Sequence, residues 1–176
     1  KLLYNNLPKV LKKRDNLEYW SDMQWGAYLS IAALSNSSNG PAATIAYYLS
    51  TNCNIPQGLG YAISGIYFFE RNHKKGYYEY SRLYDLIENR TNKKNLSKKE
   101  KSEFVIFNLL KILKHNKLTL KTLNLSKSHN EKILKFILGK LNKTNSNNIV
   151  ISNRLNNPIN LSKEDLIIII KKILEK

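Results

Sequence analysis

Cysteine is nearly absent, with Cys53 the only one in 176 residues. One thiol excludes an intrachain disulfide and a CxxC zinc site, and it suits a reducing, cytoplasmic compartment. Long apolar runs are missing as well: the longest, Leu59 to Phe69, is too short to cross a bilayer, so no membrane partner is expected. No repeat is visible, and no stretch keeps the two-residue alternation of a half-buried strand. The expected fold is therefore all-α, a multi-helix bundle forming one domain over residues 1–176. Acidic residues are scarce, 13 against 29 Lys and Arg, for a net charge of +16. Such an excess raises nucleic acid as a partner. Yet lysines recur over the chain beside abundant Asn, Ile and Tyr, which reads as compositional bias. The best basic run, Asn92 to Lys101, is interrupted by Glu100 and lacks the aromatics that stack on bases. No nucleic-acid partner is expected.

What is present is organised around residues 36–69. Ser37, Ser38, Asn39 and Gly40 are helix-stopping and capping types, and Pro41 suits a first helical position, so a helix is predicted from near Pro41 to about Ser50. Asn54 is the predicted cap of a second helix, with Pro56 in its first turn. Gly58, Gly60, Ala62 and Gly65 would leave that helix a face nearly free of side chains. Two readings stay open: the hairpin is tight packing alone, or its turn and its helix N-termini face a ligand pocket.

Upstream, Leu2, Leu3, Leu7, Val10 and Leu11 keep a helical stripe with Pro8 as a kink or break. Asp15 or Asn16 caps a second helix, whose Gly26–Ala33 portion is small and apolar nearly all round and so reads as a buried central helix. Downstream, Arg71 to Gly76 reads as a polar turn with a solvated His73, and Tyr77 to Asn89 as helix. Ser97-Lys-Lys-Glu100 is a capping box opening an amphipathic helix through Phe104, Val105, Phe107, Leu109, Ile112 and Leu113. Leu118 to Leu125 reads as a short helical turn and link, Glu131 to Leu141 as helix, and Asn142 to Arg154 as loop. Asn156-Asn-Pro158 blocks helix, and Ser162-Lys-Glu-Asp165 caps a last one that ends in lysines.

In order and spacing these segments resemble the C-terminal helical domain of the iron-containing alcohol dehydrogenase family, in the dehydroquinate synthase-like superfamily. Leu2 to Asn16 resembles the family's helix with a Leu-Pro, Met23 to Asn36 its small-residue helix, and Gly40 to Gly58 its ligand hairpin. Leu120-Lys-Thr-Leu-Asn-Leu125 resembles its Leu-x-x-Leu-Gly-Ile segment, with Asn124 where Gly is usual, and Asn157-Pro158 resembles its closing Asn-Pro. The resemblance implies a preceding dinucleotide-binding domain that would carry NAD(P). The chain, opening on Lys1, is expected to be a fragment without that domain or its two upstream metal ligands.

The resemblance also places two downstream metal-ligand histidines fourteen positions apart. They fall on Ala43 and Gln57 (57 − 43 = 14), and a further family histidine falls on Tyr47. Ala43 has no donor atom and Gln57 offers only a neutral amide, a poor ligand for iron or zinc, so no metal is expected. The remaining polar groups, Asn36, Asn39, Gln57 and the Tyr47 hydroxyl, are candidates to bind a small alcohol, aldehyde or sugar derivative, with Tyr47 and Gln57 as catalytic candidates. Equally open are plainer roles, a capping side chain for Gln57 and a core aromatic for Tyr47. The implied functions are the helical half of an NAD(P)-dependent oxidoreductase or a degenerate member that binds a ligand or partner without catalysis. A dehydroquinate synthase-type lyase is disfavoured because it needs the same metal. A homodimer is compatible with all of these.

Overall fold

A computed structural model describes residues 1–37, 39–87, 95–115, 131–132, 134–136, 139 and 156–174. Among them there is no strand, and the chain is all-α. Seven helices can be bounded: α1 (Leu2–Lys12), α2 (Leu17–Ser35), α3 (Ala42–Cys53), α4 (Gln57–Lys74), α5 (Ser81–Ile87), α6 (Lys98–His115) and α7 (Lys163–Leu174). The described part of 131–139 is also helical. The segments predicted over Leu118–Leu125 and Asn142–Arg154 lie outside the described residues.

The hub is α4, which packs against α3, α6 and α7, while α1 pairs with α2 and α5 with α6. This corrects the expectation that α2 is the buried central helix. Only Gly26 of α2 is buried, and it faces α1, where a Cβ would come within 2.8 Å of Leu3 Cγ. The rest of its apolar surface is exposed, because no described element other than α1 covers it to any extent. Pro8 neither breaks nor ends α1, which continues to Lys12. Asn6 ties the pair together by donating to Leu2 O at 3.1 Å and to Asp22 Oδ2 at 2.9 Å. Of the two candidate caps for α2, Asn16 serves: its Oδ1 accepts from Tyr19 N at 3.0 Å.

The main core is built where α3, α4 and α7 meet, from Ile45, Leu49, Ile63, Phe68, Leu166 and Ile169 among others. Ser162 and Asp165 form a reciprocal cap for α7: Ser162 N donates to Asp165 Oδ2 (2.9 Å), and Asp165 N to Ser162 Oγ (3.2 Å). Asp165 also receives Arg71 Nε (2.9 Å) and Lys75 Nζ (2.6 Å), so one buried carboxylate fastens the start of α7 to the end of α4. Lys172 and Lys74 both reach Glu70. The Ser97–Glu100 box at the start of α6 forms as predicted, with Ser97 N donating to Glu100 Oε2 at 2.8 Å.

Other expectations change. Arg71 to Lys74 belong to the last turn of α4, and only Lys75 and Gly76 (φ +92°) leave it. His73 is half-buried rather than solvated, its Nδ1 2.9 Å from Ser102 Oγ on α6. Tyr77 to Tyr80 precede α5 instead of joining it. On α6, Phe107 is exposed and Ile106 takes the core position beside Val105. The cations are not evenly spread either: no Lys or Arg lies between Arg14 and Arg71. The basic residues therefore sit on α1, the end of α4 and everything after it, and the α2–α3 region carries none.

Candidate functional site

Two turns define the α3–α4 hairpin. Pro41 precedes α3 with helical φ and ψ, so the proline ring is accommodated where its missing N–H costs nothing. At the far end, Asn54 adopts a left-handed conformation (φ 53°, ψ 34°), and its N–H donates to Leu49 O. The predicted cap of α4 is thus the C-cap of α3; Asn tolerates this region better than any other residue except glycine. Pro56 is the residue from which α4 starts, and Gln57 is its first helical residue.

The small-residue face proves to be one contact rather than a stripe. A Cβ on Gly60 would lie 3.0 Å from Ala46 Cα, so the absent side chain lets the backbones meet. Gly58 and Gly65 have open space instead. A second fastening is Ser64 Oγ, which donates to Gly60 O at 2.7 Å and lies 3.3 Å from Ala42 O.

These pairings fix the register. With Ala46 opposite Gly60 and Ala42 opposite Ser64, Ala43 stands level with Ile63 and Gln57 level with Leu49. The two positions are therefore about 9 Å apart along the hairpin. Ala43 is fully buried and Gln57 is exposed at the turn. Next to Ala43, the Thr44 hydroxyl is buried without a partner.

The other sequence candidates divide. Asn39 and Tyr47 come together with a residue that sequence reasoning passed over, Tyr61. The Tyr61 hydroxyl donates to Asn39 Oδ1 at 3.2 Å, and its ring meets Tyr47 edge-on with centroids 6.5 Å apart. The signal was available: Tyr61 lies one helical turn beyond Gln57, on the helix facing Tyr47. Burial, reinforced by Tyr47, pushes the Tyr61 hydroxyl up to about 12, so it stays protonated near neutrality and acts as a donor. The Asn39 carbonyl in turn accepts from Asn156 Nδ2 at 3.2 Å, joining the start of the hairpin to the Asn-Asn-Pro segment. Asn36 does not join this cluster. Its amide donates to Ala32 O at 2.9 Å and closes α2.

A concavity of about 210 Å³ lies beyond Pro41, between Phe68, Phe69, Tyr80 and Pro158. Its polar groups are already paired with each other: Asn72 Nδ2 donates to the Tyr80 hydroxyl (2.8 Å) and to Asn157 Oδ1 (3.0 Å), and Asn157 Nδ2 donates to Asn72 Oδ1 (2.9 Å). Among the described residues, no group of three His, Cys, Asp or Glu side chains is arranged to hold a metal ion. No helix among them is long and apolar enough to cross a membrane.

No curated protein and no solved structure matches the chain. The family profile described as "Fe-containing alcohol dehydrogenase family, C-terminal" matches residues 1–174, nearly the whole length, and the all-helical architecture is the one expected of it. The chain belongs to the Fe-containing alcohol dehydrogenase family and represents its C-terminal, helical domain.

Proposed function

We propose that this domain is the substrate-side part of an alcohol dehydrogenase-like oxidoreductase whose hairpin binds a small alcohol, aldehyde or sugar derivative without a transition metal. The observation that carries the reading is the environment of Ala43, a fully buried methyl with no donor atom where the family resemblance puts an imidazole. Gln57, the other such position, is an exposed amide, and the buried hydroxyl of Thr44 is a weak neutral donor. This set does not fit iron or zinc, and no chemical step is assigned to a metal here. NAD(P), the family's usual cofactor, would be held by an N-terminal domain outside this sequence. We assign none of its contacts to these residues.

What supports ligand binding is the Asn39–Tyr61–Tyr47 cluster. A protonated phenol beside a side-chain amide suits a ligand hydroxyl or carbonyl, and a proton held to about pH 12 donates a hydrogen bond rather than abstracting a proton. The same fact favours binding without turnover as a second reading, in which the family fold is kept and its chemistry lost. If hydride transfer is retained, Tyr47, or Tyr61 once its hydroxyl leaves Asn39, would polarise a carbonyl, in the role first given to Tyr47 and Gln57. The cytoplasmic placement rests on the lone cysteine and belongs to this proposal.

Two titrations test it. Calorimetry with Zn²⁺ should show no stoichiometric site; a one-to-one site abolished by Gln57→Ala would overturn the metal-free reading. Amide spectra with D-glyceraldehyde as probe should shift around Asn39, Tyr47 and Tyr61, and the shifts should vanish in Tyr61→Phe. Shifts confined to other helices would remove the hairpin as the site.

A further inference from the structure

From the concavity beside Pro41 we infer that the ligand of the hairpin site is an alcohol or aldehyde carrying a hydrocarbon ring, and not a sugar. This rests on the function proposed above and names its substrate class. Along α4, Tyr61, Gly65, Phe68 and Asn72 follow at intervals of four, three and four, so they share one face of the helix. Tyr61 donates to Asn39, and the other three line the concavity. Before α3, Asn39 runs directly into Gly40 and Pro41, which also line it, and Asn156, another lining residue, donates to Asn39 O. The polar cluster therefore stands at one end of the concavity, with Tyr61 about 6 Å along α4 from Gly65. A single small molecule reaches from one to the other.

What the concavity accepts follows from its lining. None of the described residues around it is charged, in a chain where 24% of residues are. Five rings wall it, those of Pro41, Phe68, Phe69, Tyr80 and Pro158. Asn72, Asn157 and Tyr80 are paired with one another, so a sugar entering here would give up water from hydroxyls left largely unmatched. A hydrocarbon ring gives up nothing of the kind. An apolar cavity of about 150 Å³ is enough to hold benzene, and the space of about 210 Å³ here suits one substituted ring. Gly40 and Gly65 make that room, since a Cβ on either would meet nothing within 4 Å. The ligand oxygen is then left at the Asn39–Tyr61 end. Both bonds of Asn39 are accepted by its oxygens, which leaves Nδ2 to donate to that oxygen.

Amide spectra of the 176-residue chain with benzyl alcohol and with glycerol test this. Benzyl alcohol should shift Gly65, Phe68 and Asn72 together with Asn39 and Tyr61, at a Kd at least about 10-fold below that of glycerol. Gly65→Leu puts a side chain where the ring would sit. Its helical circular dichroism should be unchanged, and the benzyl alcohol shifts should be lost while D-glyceraldehyde still shifts Asn39 and Tyr61. Gly65→Ala, whose methyl has open space, is the milder variant and should weaken benzyl alcohol by about 3-fold or more. Equal affinity for the two alcohols, or benzyl alcohol shifts that survive Gly65→Leu, overturns the inference; the hairpin site itself then stands if D-glyceraldehyde still shifts the cluster. Benzyl alcohol shifts confined to Gly65, Phe68 and Asn72 overturn it too, because ring and oxygen would not share one site. No shift at the cluster from either benzyl alcohol or D-glyceraldehyde overturns both readings.

Discussion

Replacing Asp165 by alanine removes the carboxylate on which three residues converge, two at the end of α4 and one at the start of α7. The side chain is 2% exposed and is held by Arg71, Lys75 and the Ser162 amide. Breaking a buried pair from one side costs about 3–5 kcal/mol when the orphaned charge stays dry. Here it does not, because Arg71 and Lys75 are 25% and 38% exposed and can turn to water. That discounts the ionic part to about 1–2 kcal/mol, and the lost N-cap adds ~1 kcal/mol. The expected loss in urea unfolding at pH 7 is therefore about 2–3 kcal/mol. Asn at the same position keeps a capping oxygen and should lose about 1 kcal/mol less. The pH dependence supplies an internal check. Burial alone would raise this carboxyl, but Lys75, Arg71 and the Ser162 amide outweigh it and hold it below the usual carboxylate range. A group depressed in the folded state stabilises above its unfolded value, near 4, and that contribution fades as pH falls below it. The gap between wild type and Asp165→Ala should thus be constant from about pH 5 to 7 and narrow below about pH 4. A loss under about 0.5 kcal/mol, or a gap unchanged at pH 2.5, would refute the reasoning.

Gly60 and Gly58 should respond oppositely to alanine. At Gly60 the new methyl meets Ala46 backbone and should cost about 1–2 kcal/mol despite the helix-propensity gain, whereas at Gly58, in open space, it should stabilise by up to ~1 kcal/mol; thermal melts separate the two. His73 is pushed down by burial, with Lys99 and Lys74 adding to this against Glu103, so its NMR titration should fall below the ordinary histidine value. Because the folded state prefers the neutral ring, His73 contributes stability above about pH 6.5 that is lost as pH falls, and a titration at or above that value would count against the burial of its ring.

The parts of the fold that were legible are those decided by local chemistry. Capping residues at Ser97 and Ser162 and the hairpin around Pro41 and Pro56 announce helix ends through their own side chains and rings, and the helices begin there. The misreadings concern what sequence periodicity does not encode, namely which neighbour covers a face. The pattern of α2 states that it is apolar on all sides, but not that, among the described residues, α1 is what lies against it; α4 read as half of the organising hairpin, but its packing on α6 and α7 was not legible. His73 and Tyr61 were missed for the same reason, since their partners Ser102 and Asn39 lie 29 and 22 positions away. Asn54 shows a different limit: asparagine begins and ends helices equally well, and only its positive φ decides. At the hairpin, the identity of Ala43 and Gln57 was plain from sequence, while their separation along the helices emerged only from the register of Gly60 on Ala46.

That register makes the length of the connection between α3 and α4 matter. A residue inserted or deleted beside Asn54 and taken up by the phase of α4 rather than by the turn would rotate that helix by about 100°. Gly60 would swing away and a neighbouring side chain, Leu59 or Tyr61, would be driven into the backbone of α3. Side chains along the hairpin can therefore be exchanged one by one without disturbing the approach of Gly60 to Ala46, whereas the length of the turn is what holds that approach in place.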